Sequence, residues 1–303
     1  WGKLDGEMKG VDNIYFSPAG ELNNIGIEYL KDSDGKHLIS EKRNYYRLSS
    51  TRELVKTREV KKRAQAVVYG GIRYDITPKS RLTGQESETE LLAKAAARMY
   101  LPKDSLTISR GEKWDYLSGT KNEADDIAKS IKRNKLKIQL IEGADATEES
   151  FKALDGAKKD IIHIATHGFY YTEREARKRE EMMFIMGEES KAPKEDKMMT
   201  RSGLLFAGAK NTFDGKEIPR DVEDGIVTAR DISRMDLRGT DLVVLSACQS
   251  GLGDIKGDGV FGLQRGFKKA GAQSILMSLW KVDDEATCLL MTEFYRNWIG
   301  EKM

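Results

Sequence analysis

Two residues with the chemistry of a base and of a nucleophile each follow an apolar run of the sequence. His167, which precedes Gly168, comes just after the run Ile161–Ala165, and Cys248 comes just after the run 241–247. The thiolate is the reactive form of cysteine, and a free thiol has a pKa of about 8.5. A neighbouring imidazole could take that proton or hold the thiolate as an ion pair. The two residues are therefore the candidate base and nucleophile of a covalent reaction.

The order of these residues along the chain restricts their arrangement. All three histidines, His37, His163 and His167, precede both cysteines, Cys248 and Cys288. A papain-like layout, in which the nucleophile comes first and the base later, is therefore excluded. A base at the end of one strand and a nucleophile at the end of the next remains possible.

Each of these residues also has a structural interpretation. Cys248 could be an inert thiol of the core, and Cys288 lies in an apolar helical segment where we expect it to be inert. His163 lies between isoleucines in the middle of a strand, so we expect it to support the site rather than to perform the chemistry. His37 lies in a polar turn and is expected to be solvated.

The sequence predicts neither a metal nor another cofactor. On a strand, the side chains of His163 and His167 would lie about 13 Å apart, which is too far for shared zinc ligation. The cysteines also lack the CxxC spacing of zinc sites. The glycine-rich segment 251–259 matches neither GxxxxGK[ST] nor GxGxxG, so it does not indicate nucleotide binding.

The composition excludes several classes of protein. Lys and Arg number 51 and Asp and Glu number 49, so a net charge of +2 does not fit a strongly basic nucleic-acid binder. No apolar run is long enough to cross a membrane. Two cysteines without disulfide-like spacing favour a reducing compartment, and we predict a cytoplasmic location. The chain begins with Trp1 and has no signal peptide, so we expect it to be part of a longer protein.

Strand and helix patterns alternate along most of the chain. The apolar and β-branched runs predict strands at 64–70, 136–141, 160–166, 241–247 and 273–280, with helical patterns between most of them. Such alternation is typical of an α/β fold with a mainly parallel central sheet flanked by helices. Reactive groups in such sheets lie just beyond the carboxyl ends of strands, where both candidate residues occur.

Two segments differ from this pattern. Residues 1–63 precede the core at 64–303, and Ile14–Phe16 followed by the turn residues 17–20 predicts an N-terminal β-hairpin. Within the core, 15 of the 29 residues in 172–200 are charged. That composition predicts a solvated, mobile insertion that a protease would cut before the rest of the core.

Capping signals predict where three helices begin. Thr120 with Glu123 fits a capping box, in which each side chain would bond a backbone amide at the start of a helix. Thr147 is expected to open a short helix, and either Asp283 or Asp284 is expected to cap the last one.

Two motifs resemble the signatures of a known family. HIATHG (His163–Gly168) and LSACQSGLG (Leu245–Gly253) are similar to the paired motifs of CHAT domains. AGAQSILMSLWKVDDEAT (270–287) resembles the next segment of that family, and IYFSPAGELNNIGIEYL (14–30) resembles its opening. The resemblance extends over nearly the whole chain.

The resemblance implies a fold and an activity. CHAT domains are similar to caspases and separase, and they often follow tetratricopeptide repeats in bacteria. The expected fold is thus a caspase-like sandwich, and the expected reaction is peptide-bond hydrolysis without a cofactor. His167 would be the base, Cys248 the nucleophile, and the backbone amides of Gly168 and Cys248 the oxyanion donors. The alternative is a catalytically silent CHAT-fold module that binds other proteins.

A substrate pocket can also be predicted. Ser246 precedes Cys248 by two residues and would face the same side, so it could line the pocket. Trp280 and Asp283 follow the next strand, where Asp283 could pair with a Lys or Arg of the substrate and Trp280 could cover its aliphatic stem. The competing interpretation is that Asp283 only caps the last helix.

Overall fold

The computed structural model describes residues 7–31, 35–55, 64–76, 114–177, 194–214, 216, 218, 222–247, 253–256, 259–278 and 282–300. Its strands, numbered along the chain, are β1 (Asn13–Phe16), β2 (Asn44–Arg47), β3 (Gln65–Ile72), β4 (Lys137–Gly143), β5 (Ile161–Ala165), β6 (Gly168–Tyr170), β7 (Ser202–Leu205), β8 (Ile226–Thr228), β9 (Leu242–Ser246), β10 (Gly253–Lys256), β11 (Gly259–Gly262) and β12 (Ser274–Met277). Its α-helices are α1 (Ser118–Arg133), α2 (Glu148–Lys152), α3 (Lys194–Met199), α4 (Ala209–Phe213), α5 (Ala229–Ile232), α6 (Leu263–Ala270) and α7 (Asp284–Tyr295).

The chain divides into two compact units. One comprises Trp1–Lys62 with Ile255–Val260, and the other comprises Arg63–Asp254 with Phe261–Met303. Among the described residues, no helix is both long enough and apolar enough to span a membrane.

The larger unit is built on a five-stranded parallel sheet. Its strand order is β12-β9-β5-β3-β4, and each neighbouring pair is parallel. The central strands are buried on both faces, which explains why they read as continuous apolar runs rather than alternating ones. The predicted mainly parallel α/β fold is confirmed. A second, three-stranded antiparallel sheet has the order β6-β7-β8.

The N-terminal β-hairpin predicted from the sequence is wrong. The turn residues after β1 lead into a short 3-10 helix, Gly20–Asn24, and β1 pairs instead in parallel with β2. Parallel pairing needs a long connection between the strands. Tyr15 stacks on Tyr46 with ring centroids 4.6 Å apart, and this contact favours the partner from further along the chain.

Arg47 of β2 holds the connection in place. Its guanidinium bonds the carboxylate of Glu28, with Nη2 to Oε2 at 2.9 Å, and donates to the carbonyl of Asn23 at 3.2 Å. The same group lies 5.3 Å from the centre of the Phe16 ring on β1. A single side chain thus links both strands to the segment between them, which short-range turn patterns could not predict.

Helix α1 covers one face of the parallel sheet. Its buried residues recur at helical spacing, as expected for an amphipathic helix that packs on a sheet: Ala124, Ile127, Ala128 and Ile131. The predicted capping box is wrong, because the helix begins at Ser118. Thr120 lies inside it and its hydroxyl accepts a hydrogen bond from Gly71 N at 3.1 Å, while Glu123 is buried.

The end of the predicted insertion is packed rather than solvated. Met198 and Met199 of α3 are buried, each 5% exposed. Residues 178–193, the middle of the segment, lie outside the described residues, so the expected early cleavage there stays a prediction.

The cap predicted at Thr147 for α2 is confirmed, since its hydroxyl accepts a hydrogen bond from Ser150 N at 3.1 Å.

Two buried carboxyl groups join α2 to the segment before β8. Glu148, the first residue of the helix, accepts from Gly225 N at 3.0 Å. Burial raises the pKa of the neighbouring Asp224 to about 6. Burial, followed by the charge of Asp224, also raises the pKa of Glu148.

We expect Asp224→Asn to stabilise the protein above about pH 6. The folded state holds this proton more tightly than the unfolded chain, so the free energy of unfolding falls as pH rises from about 4 to about 6. Asparagine keeps an oxygen for Ile226 N and carries no charge, so the gain should be on the order of 1–2 kcal/mol. Urea unfolding between pH 4 and 8 measures this, and identical pH slopes for parent and variant would contradict it.

Candidate active site

His167 lies where the connections of the parallel sheet change direction. The chain leaves β3 for β4 on one side and leaves β5 for β9 on the other. In parallel sheets, ligands bind at the carboxyl ends of the strands beside such a point. His167 is two residues past the end of β5, so its position is the one that the fold favours for a functional group.

The imidazole of His167 is held in one orientation. Its Nε2 lies 2.8 Å from the carbonyl oxygen of Asp115. A carbonyl can only accept, so we assign the ring proton of the neutral form to Nε2. The ring also lies 4.9 Å from the ring of Tyr74 and 5.2 Å from that of Trp114, measured between centroids. This tautomer makes Nδ1 the nitrogen that can accept a proton.

The backbone of His167 is fixed as well. Its N–H donates to the Tyr74 hydroxyl at 3.2 Å, and its carbonyl accepts from Leu205 N at 3.0 Å. The Tyr74 hydroxyl is also 2.9 Å from the hydroxyl of Thr166, which bonds the carbonyl of Leu205. Contacts from β7 and from the residues after β3 therefore position the histidine.

The neighbouring strand β9 ends at the same level. Ala165 pairs with Ser246, and Thr166 N donates to the Ser246 carbonyl at 3.2 Å. The carbonyl of the next residue, Ala247, accepts from the Ser278 hydroxyl at 2.7 Å. His167 and Cys248 are each two residues beyond this paired position along the chain. Cys248 itself, with 249–252, lies outside the described residues.

The predicted pocket residues have different outcomes. Ser246 is buried, and its hydroxyl donates to Glu123 Oε2 at 3.0 Å. Asp283 caps α7, since its Oδ1 accepts a hydrogen bond from Ala286 N at 3.0 Å, which confirms the capping prediction for that residue. Trp280 lies outside the described residues. Gly168 begins β6 directly after the histidine, and its oxyanion role, like the pocket, stays a prediction.

Sequence reasoning missed three residues that contact His167. Asp115 acts through its backbone carbonyl, and a backbone contact leaves no signal in the residue type. Trp114 and Tyr74 contribute aromatic rings. Tyr74 lies two residues past the end of β3, and this position just after a buried strand is a signal from which the residue could have been found. Within the described ranges, no three His, Cys, Asp or Glu side chains are grouped so that they could hold a metal ion.

The surroundings of the second cysteine, which is half-buried, raise the pKa of its thiol. Cys288 lies on α7, and its pKa is raised by burial first and then by the charges of Glu123 and Asp126. A raised pKa leaves less thiolate at neutral pH. The structural role expected for Cys288 from the sequence is consistent with these surroundings.

Comparison with protein families identifies the family. The sequence model of the CHAT domain matches residues 1–303, the whole chain. The chain belongs to the CHAT domain family. The five-stranded parallel sheet with flanking helices is consistent with the caspase-like fold expected of a CHAT domain.

Two curated relatives of this CHAT domain come from mammals. Tetratricopeptide repeat protein 28 of Mus musculus is 41% identical over 76 residues, which are 25% of this chain and 3% of the relative. Tetratricopeptide repeat protein 28 of Homo sapiens is 36% identical over 79 residues, which are 26% of this chain and 3% of the relative. The matched region is thus a small part of much longer proteins, and a bacterial origin, which the resemblance to CHAT domains implies, stays a prediction.

Proposed function

We propose that this CHAT domain is a cysteine endopeptidase in which His167 is the base and Cys248 the nucleophile. The observation that carries the proposal is the 2.8 Å contact between His167 Nε2 and the Asp115 carbonyl. This contact leaves Nδ1 as the nitrogen for proton transfer. His167 comes just after β5, which pairs with β9, and Cys248 follows β9 along the chain. A third group that orients the base is the usual companion of a nucleophile and its base.

The proposed reaction has two stages. The thiol proton passes to His167 Nδ1, and the Cys248 sulfur attacks the carbonyl carbon of the peptide bond. The tetrahedral oxyanion takes hydrogen bonds from the amides of Gly168 and Cys248. It then collapses, and the departing amine takes the proton from His167. A water molecule, deprotonated by His167, hydrolyses the thioester and restores the thiol.

A peptide-library digest tests this activity. A peptidase would cut a subset of sequences with defined preferences around the cut, and an active-site thiol reagent would stop all cutting. The Cys248→Ala protein, prepared identically, is the control for contaminating proteases. A library left intact by the whole protein, including any further domains that it has, would contradict the proposal.

The second candidate is a binding module without peptidase activity. The observation that favours it is the similarity to tetratricopeptide repeat protein 28, whose name refers to repeats and not to a peptidase. We also propose a tetratricopeptide-repeat or other sensor region as a partner of this domain, and a cytoplasmic location. An ordinary rate of Cys248 alkylation would favour the module, whereas a selectively fast one would favour the enzyme.

We further propose that the substrate residue before the cut is basic. Asp283 is exposed, and one of its two carboxylate oxygens caps α7. The second oxygen and the negative charge could pair with a substrate Lys or Arg. Trp280 completes this proposed pocket, whereas the hydroxyl of Ser246, which the sequence also suggested, is bonded to Glu123.

Asp283→Asn separates capping from substrate recognition. Asparagine caps a helix about as well as aspartate, so α7 should stay intact while the charge is lost. We expect kcat/KM for peptides with Arg before the cut to fall about 10-fold, with little change for matched peptides with Gln there. Fluorogenic peptides that differ only at this residue measure it, with Asp284→Asn as the control. A parental preference for Asp or for apolar residues would contradict the acidic pocket.

A further inference from the structure

Glu123 on α1 is a buried carboxylate that the proposed reaction does not use. It is 2% exposed, and a carboxylate is costly to bury unless other groups compensate it. Its Oε2 accepts a hydrogen bond from Ser246 Oγ at 3.0 Å. Its Oε1 lies 3.0 Å from His163 Nε2, although the two are not aligned as a hydrogen bond. The carboxylate therefore contacts β5 at His163 and β9 at Ser246 from the face of the sheet that α1 covers.

The contact with Ser246 falls at the end of β9, whereas His163 lies in the middle of β5. Ser246 is the last residue of β9, and its carbonyl accepts from Thr166 N at 3.2 Å. With its hydroxyl bound to Glu123, Ser246 is held both by the neighbouring strand and by the helix above the sheet. The next residue but one along the chain is Cys248.

The start of the same helix reaches the candidate base. Asp115, three residues before α1 begins, binds the imidazole of His167 through its carbonyl. The first turn is anchored to β3, because the Thr120 hydroxyl accepts from Gly71 N at 3.1 Å and donates to the Leu117 carbonyl at 2.7 Å. Helix α1 and the residues before it thus contact the His167 side and the β9 side of the site.

We propose that Glu123 is a positioning residue for the peptidase site. Its carboxylate holds Ser246, so that α1 sets the end of β9 in register with the residues that orient His167. The proposal rests on the proposed function, because Cys248 and His167 are the groups to be positioned. It predicts that loss of the Glu123–Ser246 hydrogen bond lowers the reactivity of Cys248 without weakening substrate binding.

The test compares variants in a Cys288→Ala protein, where iodoacetamide reports on Cys248 alone. We expect Glu123→Ala and Ser246→Ala each to lower kcat per titrated active site by about 10- to 100-fold, with KM nearly unchanged. Alkylation should slow in parallel. The double variant should be no slower than either single one, because both remove the same hydrogen bond. Glu123→Gln should recover most of the loss, since its amide oxygen can still accept from Ser246.

Asp126→Ala, on an exposed part of the same helix, is the matched control and should match the parent. Parental alkylation and kcat in both single variants would overturn the proposal. So would additive losses in the double variant, or a smaller active fraction with kcat per site unchanged. If Glu123→Ala does not fold, Ser246→Ala and Glu123→Gln give the comparison. If the parent cleaves no peptide but alkylation follows the expected pattern, the proposed function fails and the positioning role stands.

Discussion

Cys248→Ala and His167→Ala are each expected to lower peptide cleavage by at least about 1000-fold. In the proposed mechanism, the first removes the sulfur that would form the acyl-enzyme, and the second removes the nitrogen that would take its proton. Because nucleophile and base act as a unit, the double variant should be no worse than either single one. Initial rates on a peptide selected from the library measure all three proteins.

Cys288→Ala is the matched control for the loss of a thiol, and we expect it to cleave at the parental rate. Its side chain lies on α7, in surroundings that raise its pKa. Turnover retained in Cys248→Ala, or lost in Cys288→Ala with the fold intact by circular dichroism, would contradict the assignment of the nucleophile.

Gly70→Ala is expected to displace helix α1 from the sheet next to the site. A Cβ at position 70 would lie 2.4 Å from the Thr120 carbonyl oxygen and 2.5 Å from the Ala124 Cβ. Both atoms belong to α1, so the helix must move away from β3. We expect the free energy of unfolding to fall by about 1–3 kcal/mol. Cleavage should fall about 10- to 100-fold, because we propose that α1 also positions the site.

Gly156→Ala is the control for adding a methyl group to a glycine. A Cβ there meets nothing within 4 Å, although the positive φ of +70° makes the substitution cost about 1 kcal/mol. It should leave kcat and KM unchanged. Parental stability and activity in Gly70→Ala, measured by urea unfolding and by initial rates, would show that the contact between α1 and β3 can relax.

The fold was predictable where local pattern and tertiary packing agree. The buried strands read as continuous apolar runs because both faces of the sheet are covered, and Ile161–Ala165 is the clearest case. The predicted hairpin failed at the N-terminus, because contacts of Arg47 and Tyr46 stabilise the pairing of β1 with β2. Prediction also failed at Thr120 and Glu123, whose spacing fits a helix cap but whose side chains bond the sheet instead.

The candidate site was predictable only in part for a related reason. His167 could be found because its residue type and its place after a strand both indicate chemistry. Asp115 could not be found, since it contributes a carbonyl that every residue has. The spacing of Glu123 from Thr120 is visible in the sequence, but it fits a cap at the surface equally well. Only the burial of Glu123 against Ser246 and His163 distinguishes the two roles.

The pH dependence of Cys248 alkylation tests the central claim most directly, because it requires no knowledge of the substrate. In the Cys288→Ala protein, the rate with iodoacetamide should titrate with a pKa well below the ordinary value of about 8.5, since protonated His167 stabilises the thiolate. In the Cys288→Ala, His167→Ala protein the titration should return towards that ordinary value. An ordinary thiol titration in the parent, unchanged by the loss of His167, would contradict the pairing of these two residues.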